Sequence, residues 1–128
     1  MVSDEPEGKY DLIFWHPPYH DTVDYDIAHP NNLSRCSSLA DYLDKLKVCM
    51  RKLLEHLNWG GHLCILCSDP RKDGVIQPIH SAIIGFNLAT LDAVLVKLIE
   101  GRSRYFDYGS APFIPILHEY VLIFSKRE

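Results

Sequence analysis

The chain has 128 residues, 47% of them hydrophobic, and a formal net charge of −4. That length supports one domain with one core and is too short for two, and the apolar content excludes disorder as the default. No apolar run reaches the ~20 residues a membrane span needs, and Met1 to Gly8 is polar and acidic, unlike a secretory leader, so a cytosolic single domain over 1–128 is expected.

The first predicted element is a short apolar strand, Tyr10 to Trp15. It stops at His16-Pro17-Pro18-Tyr19, because proline donates no ladder hydrogen bond and restricts the residue before it. A polar stretch rich in Asp, Asn, His and Pro runs to about Ser38 and reads as a loop. Ser38-Leu39-Ala40-Asp41 then looks like a helix cap. Behind it Leu39, Tyr42, Leu43, Leu46, Met50, Leu53, Leu54 and Leu57 recur at three- and four-residue steps. That is one apolar stripe on a helix of about five turns, which Gly60-Gly61 is expected to end.

Leu63 to Cys67 follows as a strand, apolar throughout, the pattern of a parallel strand covered on both faces. Ser68 to Gly74 reads as a charged turn. Val75 to Ile84 carries Ile76, Ile79, Ile83 and Ile84 at helical spacing, with Pro78 tolerable in a first turn. Leu88 to Ile99 has the β-branched content of a strand and the length of a helix; strand is preferred. Gly101 to Pro115 reads as a loop and His118 to Ser125 as a closing strand. The alternation predicts an α/β layer fold.

At this point the residues carry a resemblance. Asp11-Leu12-Ile13-Phe14-Trp15-His16-Pro17-Pro18-Tyr19 resembles the catalytic motif of DNA methyltransferases that modify exocyclic amino groups. In that family Asp, Asn or Ser, then Pro-Pro, then an aromatic residue follow directly on an apolar strand. Leu53 to Leu63, with Trp59-Gly60-Gly61, resembles the family's helix, glycine pair and next strand. Asp69-Pro70-Arg71-Lys72-Asp73-Gly74 is similar to its charged turn, and Phe113 to Lys126 to its final sheet strand. The resemblance spans about Tyr10 to Lys126.

It implies methyl transfer from S-adenosylmethionine to N6 of adenine or N4 of cytosine in DNA, of the kind found in restriction-modification. A base amino group is a poor nucleophile because its lone pair is delocalised into the ring. Two acceptors that bind its hydrogens favour a pyramidal nitrogen with an available lone pair. By the resemblance, His16 supplies one acceptor and the carbonyl of Pro17 the other, while Pro17 and Pro18 stiffen the backbone. Tyr19 stacks on a base turned out of the duplex. Histidine departs from the family's usual first residue; a neutral imidazole still offers one accepting nitrogen, and a protonated one offers none.

The implied fold is a partial Rossmann-like methyltransferase sheet of about four strands, the last antiparallel. The chain's first, second, fourth and third strands would lie side by side. Tyr10 to Trp15 would be an edge strand, an open apolar liability expected to be covered by a second chain or by self-association. The family also carries a Phe-x-Gly-x-Gly turn that holds the methionine end of S-adenosylmethionine. No such sequence occurs in these residues, so a fragment, a split enzyme and an inactive relic all remain open. Asp69, at the carboxyl end of a parallel strand where α/β crevices form, is the one cofactor-binding candidate. The alternative function is an inert, methyltransferase-like binding or regulatory subunit.

Other polar groups invite plainer readings. Cys64 and Cys67 lie three apart in a strand and so face opposite ways, which argues against a shared metal. His16, His20, Asp21, Asp24, Asp26 and His29 crowd one stretch, but Pro17-Pro18 prevents the helix that would align the first two histidines, and no metal is expected. His118-Glu119 is expected to be a structural or substrate-edge pair. The acidic balance argues mildly against a self-sufficient DNA-binding module, leaving Arg71-Lys72 and Lys97, Arg102 and Arg104 as the basic candidates for a local DNA contact.

Overall fold

The structure, a computed structural model, describes residues 9–18, 38–99 and 114–127. Strand β1 (Tyr10–Trp15) is followed by helix α1 (Leu39–Glu55) and strand β2 (Leu57–Cys67). A ribbon of β3 (Arg71–Lys72) and β4 (Val75–Ile76) leads to helix α2 (Ile79–Gly85). Strands β5 (Thr90–Leu98) and β6 (His118–Ser125) complete the order. The four long strands form one sheet in the order β1-β2-β6-β5. β1 and β2 are parallel, and β6 runs antiparallel to both its neighbours. The expected strand order, the antiparallel closing strand and the edge position of β1 are all met.

α1 forms where its stripe and cap predict. The Ser38 hydroxyl accepts from the Asp41 amide at 3.1 Å, satisfying one of the orphan N–H groups of the first turn. Tyr42, Leu46, Cys49, Met50 and Leu54 are its buried face. They pack, with Ile79 and Ile83 of α2, against Leu63, Ile65 and Cys67 of β2 and Leu122 and Phe124 of β6. Alternation along the strands sends one set of side chains into this core.

Three expectations need correction. α1 stops at Glu55, before Gly60-Gly61, and β2 begins at Leu57. The glycines lie inside the strand, in a bulge between the pairs Tyr10↔Leu57 and Leu12↔His62. Gly60 has φ +81°, and a Cβ on Gly61 would stand 2.9 Å from the carbonyl oxygens of Asp11 and Asn58. The pair therefore lets β1 and β2 approach, and Lys126 closes the helix end by donating to the carbonyls of Leu54 and Leu57.

Second, Val75 and Ile76 are not helical. They pair with Arg71 and Lys72 across Asp73-Gly74, whose φ values of 53° and 82° suit a two-residue hairpin loop. α2 starts only at Ile79, after Pro78.

Third, β2 is not covered on both faces by any described helix. Its reverse face carries Cys64 and Leu66, half-buried, beside Leu12 and Phe14 of β1, which are 63% and 62% exposed. No helix among the described residues is long and apolar enough to cross a membrane.

Candidate active site

The carboxyl ends of β1 and β2 lie together at one edge of the sheet. β1 pairs as far as Trp15↔Ile65, whereas β2 continues to Cys67. The proline pair accounts for the difference, since neither ring can donate to the ladder. His16 emerges exposed just beyond the last paired residue, while Pro17 and Pro18 turn inward and are buried.

The buried turn is tied to α1. The Tyr42 hydroxyl, on the first turn of that helix, donates to the Pro18 carbonyl at 2.7 Å. Tyr42 has no exposed surface. In the sequence it is one more apolar position of the stripe, and nothing there distinguishes its ring from its hydroxyl.

A second group occupies the same edge, one strand further across, roughly 5 Å per strand. Asp69 follows β2 by two residues. One carboxylate oxygen accepts from the His80 amide at 2.9 Å, and the other lies 2.6 Å from His80 Nδ1. The His80 ring stacks on Tyr120, with centroids 3.8 Å apart. The Tyr120 hydroxyl in turn lies 3.0 Å from His118 Nε2. Asp69 thus caps α2 from outside and fixes the His80 ring. Sequence reasoning picked out Asp69 and His118 but missed His80 and Tyr120, eleven and fifty-one positions beyond Asp69; no local pattern joins residues so far apart.

Other candidates have partners within the fold. Arg71 donates to the Ile114 carbonyl at 2.6 Å, and Lys97 pairs with Glu119 at 3.5 Å. Cys64 is half-buried and Cys67 fully buried, on opposite faces as expected. Burial, with Asp69 and Glu119 adding repulsion, pushes the Cys67 thiol up to about 12. Among the described residues no group of three or more His, Cys, Asp or Glu could hold a metal. Tyr19, His20, Asp21, Asp24, Asp26, His29, Arg102 and Arg104 lie outside the described residues.

Asp69, the candidate for the cofactor, has each carboxylate oxygen in contact with His80, and each keeps a further lone pair with which to accept. Gly60 and Gly61 serve the pairing of β1 with β2 at the amino end of β2, away from the crevice edge.

The four-stranded α/β sheet with this order, and the proline-pair turn at the end of its edge strand, belong to a chain that is similar in sequence and in fold to DNA methyltransferases. It is 28% identical over 132 aligned positions to the type II methyltransferase M.MjaVI of Methanocaldococcus jannaschii, covering 97% of this chain and 66% of that protein. Among solved structures it matches TTHA0409 of Thermus thermophilus, assigned as a DNA modification methylase. The form complexed with S-adenosyl-L-methionine gives a TM-score of 0.68 at 21% identity, over 99% of this chain and 52% of that one. A selenomethionine form gives 0.68 at 19%, over 99% and 49%. The chain therefore spans about half of the solved relatives' length and 66% of that of M.MjaVI. No family model matches the sequence.

Proposed function

We propose that this chain carries the base-reacting part of an S-adenosylmethionine-dependent DNA methyltransferase that modifies an exocyclic amino group, N6 of adenine or N4 of cytosine. The observation that supports it most directly is the placement of His16-Pro17-Pro18. A histidine stands exposed at the carboxyl end of a parallel strand, on a turn whose two prolines are buried. Similarity to M.MjaVI over nearly the whole chain supports the reaction class.

In this reading the chain handles the acceptor base. The His16 ring and the Pro17 carbonyl accept the two amino hydrogens, raising electron density on the nitrogen. Tyr19 stacks on the extruded base, using a π-face that any base offers. The neutral imidazole is the competent form, because only it has an accepting nitrogen. The methyl donor is held by residues outside the described ones. That part, in the same polypeptide or a second one, covers the open edge at β1, where Tyr10, Leu12 and Phe14 are exposed.

The test supplies methyl-labelled S-adenosylmethionine and duplex DNA to the protein, with and without a cofactor-binding complement. Mass spectrometry of the nucleosides then distinguishes N6-methyladenine from N4-methylcytosine. Label in either supports the reading. Label in neither, with a complement that binds the donor, favours the second reading of an inert regulatory subunit.

A further inference from the structure

Tyr42 makes a contact that packing alone does not require. A phenylalanine would fill the same space in the stripe. A buried phenol, however, must find a hydrogen-bond partner or lose stability, and the partner here is the Pro18 carbonyl, 2.7 Å away. That carbonyl belongs to a turn with few backbone donors of its own. Pro17 and Pro18 have no N–H to donate, and β1 has stopped pairing at Trp15.

We propose that Tyr42 is a positioning residue for the candidate site: its hydroxyl, through Pro18, holds His16 and the Pro17 carbonyl in the geometry that meets the substrate amino group. This rests on the methyltransferase reading. The segment is pinned at both ends, by the β1–β2 ladder at Trp15 and by Tyr42 at Pro18. Between those points the proline rings fix two φ torsions. The Tyr42 bond removes freedom from the ψ of Pro18, which the ring leaves soft. The anchor is itself rigid, since Tyr42 lies in the first turn of a helix capped by Ser38. Reacting groups displaced by about 1 Å can lose a hundredfold in rate, so a hydrogen bond that fixes this turn acts on turnover and not on DNA affinity.

Tyr42→Phe keeps the ring and removes the donor. Two readouts separate the proposal from the reading beneath it. In the chain as it stands, carbon-13 resonances of the Pro17 and Pro18 carbonyls and the ring signals of His16 report the turn directly. The expected result is one sharp set in the wild type and shifted, broadened signals in Tyr42→Phe, with Leu122 and Phe124 signals unchanged. In the enzyme with its donor-binding part, single-turnover methylation should fall about 10- to 100-fold while the Kd for DNA stays the same.

Unchanged turn resonances in Tyr42→Phe overturn the proposal, as does an unchanged single-turnover rate in an assembled enzyme whose wild type methylates. If the wild type does not methylate with a competent complement, the functional reading fails while the resonances still decide whether Tyr42 holds the turn. Should Tyr42→Phe not fold, 3-fluorotyrosine at position 42 keeps ring and hydroxyl and alters donor strength. A moved Pro18 carbonyl resonance then supports the anchor and an unmoved one overturns it.

Discussion

Gly61→Ala should weaken the fold far more than Gly60→Ala, although the two positions are neighbours. At Gly61 the added Cβ would meet the Asp11 carbonyl oxygen, the Asn58 carbonyl oxygen and Leu57 Cδ1, each at 2.9 Å. Ordinary contact begins near 3.4 Å, so about 0.5 Å of movement is needed. Two of the three atoms are backbone, one of them on β1, and Leu57 is itself buried. Relief therefore means prising β1 from β2. Overpacking of this kind costs about 1–3 kcal/mol, and loosening a ladder hydrogen bond adds roughly 1 kcal/mol, for about 2–4 kcal/mol in all. At Gly60 nothing lies within 4 Å, and only the φ of +81° opposes a side chain. That strain costs about 1 kcal/mol. Urea unfolding followed by tryptophan fluorescence measures both. With a slope of about 2 kcal/mol/M, the Gly61 variant should lose roughly 1–2 M in midpoint and the Gly60 variant about 0.5 M. Equal losses, or the reverse order, would refute the close approach assigned to Gly61.

Other outcomes follow from the same contacts. Ser38→Ala removes the α1 cap and should cost about 1 kcal/mol in urea, with the Tyr42 contact retained. Asp69→Ala frees the His80 amide and ring together and should cost about 1–3 kcal/mol; Asp69→Asn, which can still accept from the amide, should cost less. The raised Cys67 thiol keeps its proton in the folded chain from its ordinary value of 9.0 up to about 12, while the unfolded chain loses it. Stability from this group is thus whole below pH 9 and lost as pH rises from there through 12. Cys67→Ala should show a shallower alkaline decline, and in the wild type iodoacetamide at pH 9 should modify Cys67 only on unfolding, because the buried thiol keeps its proton.

What the sequence revealed depended on how local each cause was. α1 was legible because its stripe is long and Ser38 stands at its start. β6 was legible because eight residues from His118 lack any breaker. The strand order came with the family resemblance and not from periodicity. Gly60-Gly61 misled because glycine after a helical stripe commonly marks a helix end, while its cause here is the backbone of Asp11, fifty residues earlier. Ile76 fell at helical spacing from Ile79 by coincidence. The Asp73-Gly74 loop between them and Lys72 was a hairpin signal, but strands of two residues leave no alternation to read. At the candidate site His16, Pro17 and Pro18 were visible as a motif. Tyr42 and His80 were not, because their roles come from contacts to Pro18 and Asp69 that only the folded chain creates.

His16 is assigned to the reacting nitrogen, and single-turnover methylation by the assembled enzyme, for wild type, His16→Ala and His16→Asp, tests that role most directly. His16→Ala should lose most of the rate, about 100-fold or more, with DNA binding intact, and His16→Asp, which restores a side-chain acceptor, should recover activity. An unchanged rate in His16→Ala would contradict the account and leave the histidine as a strand-exit residue.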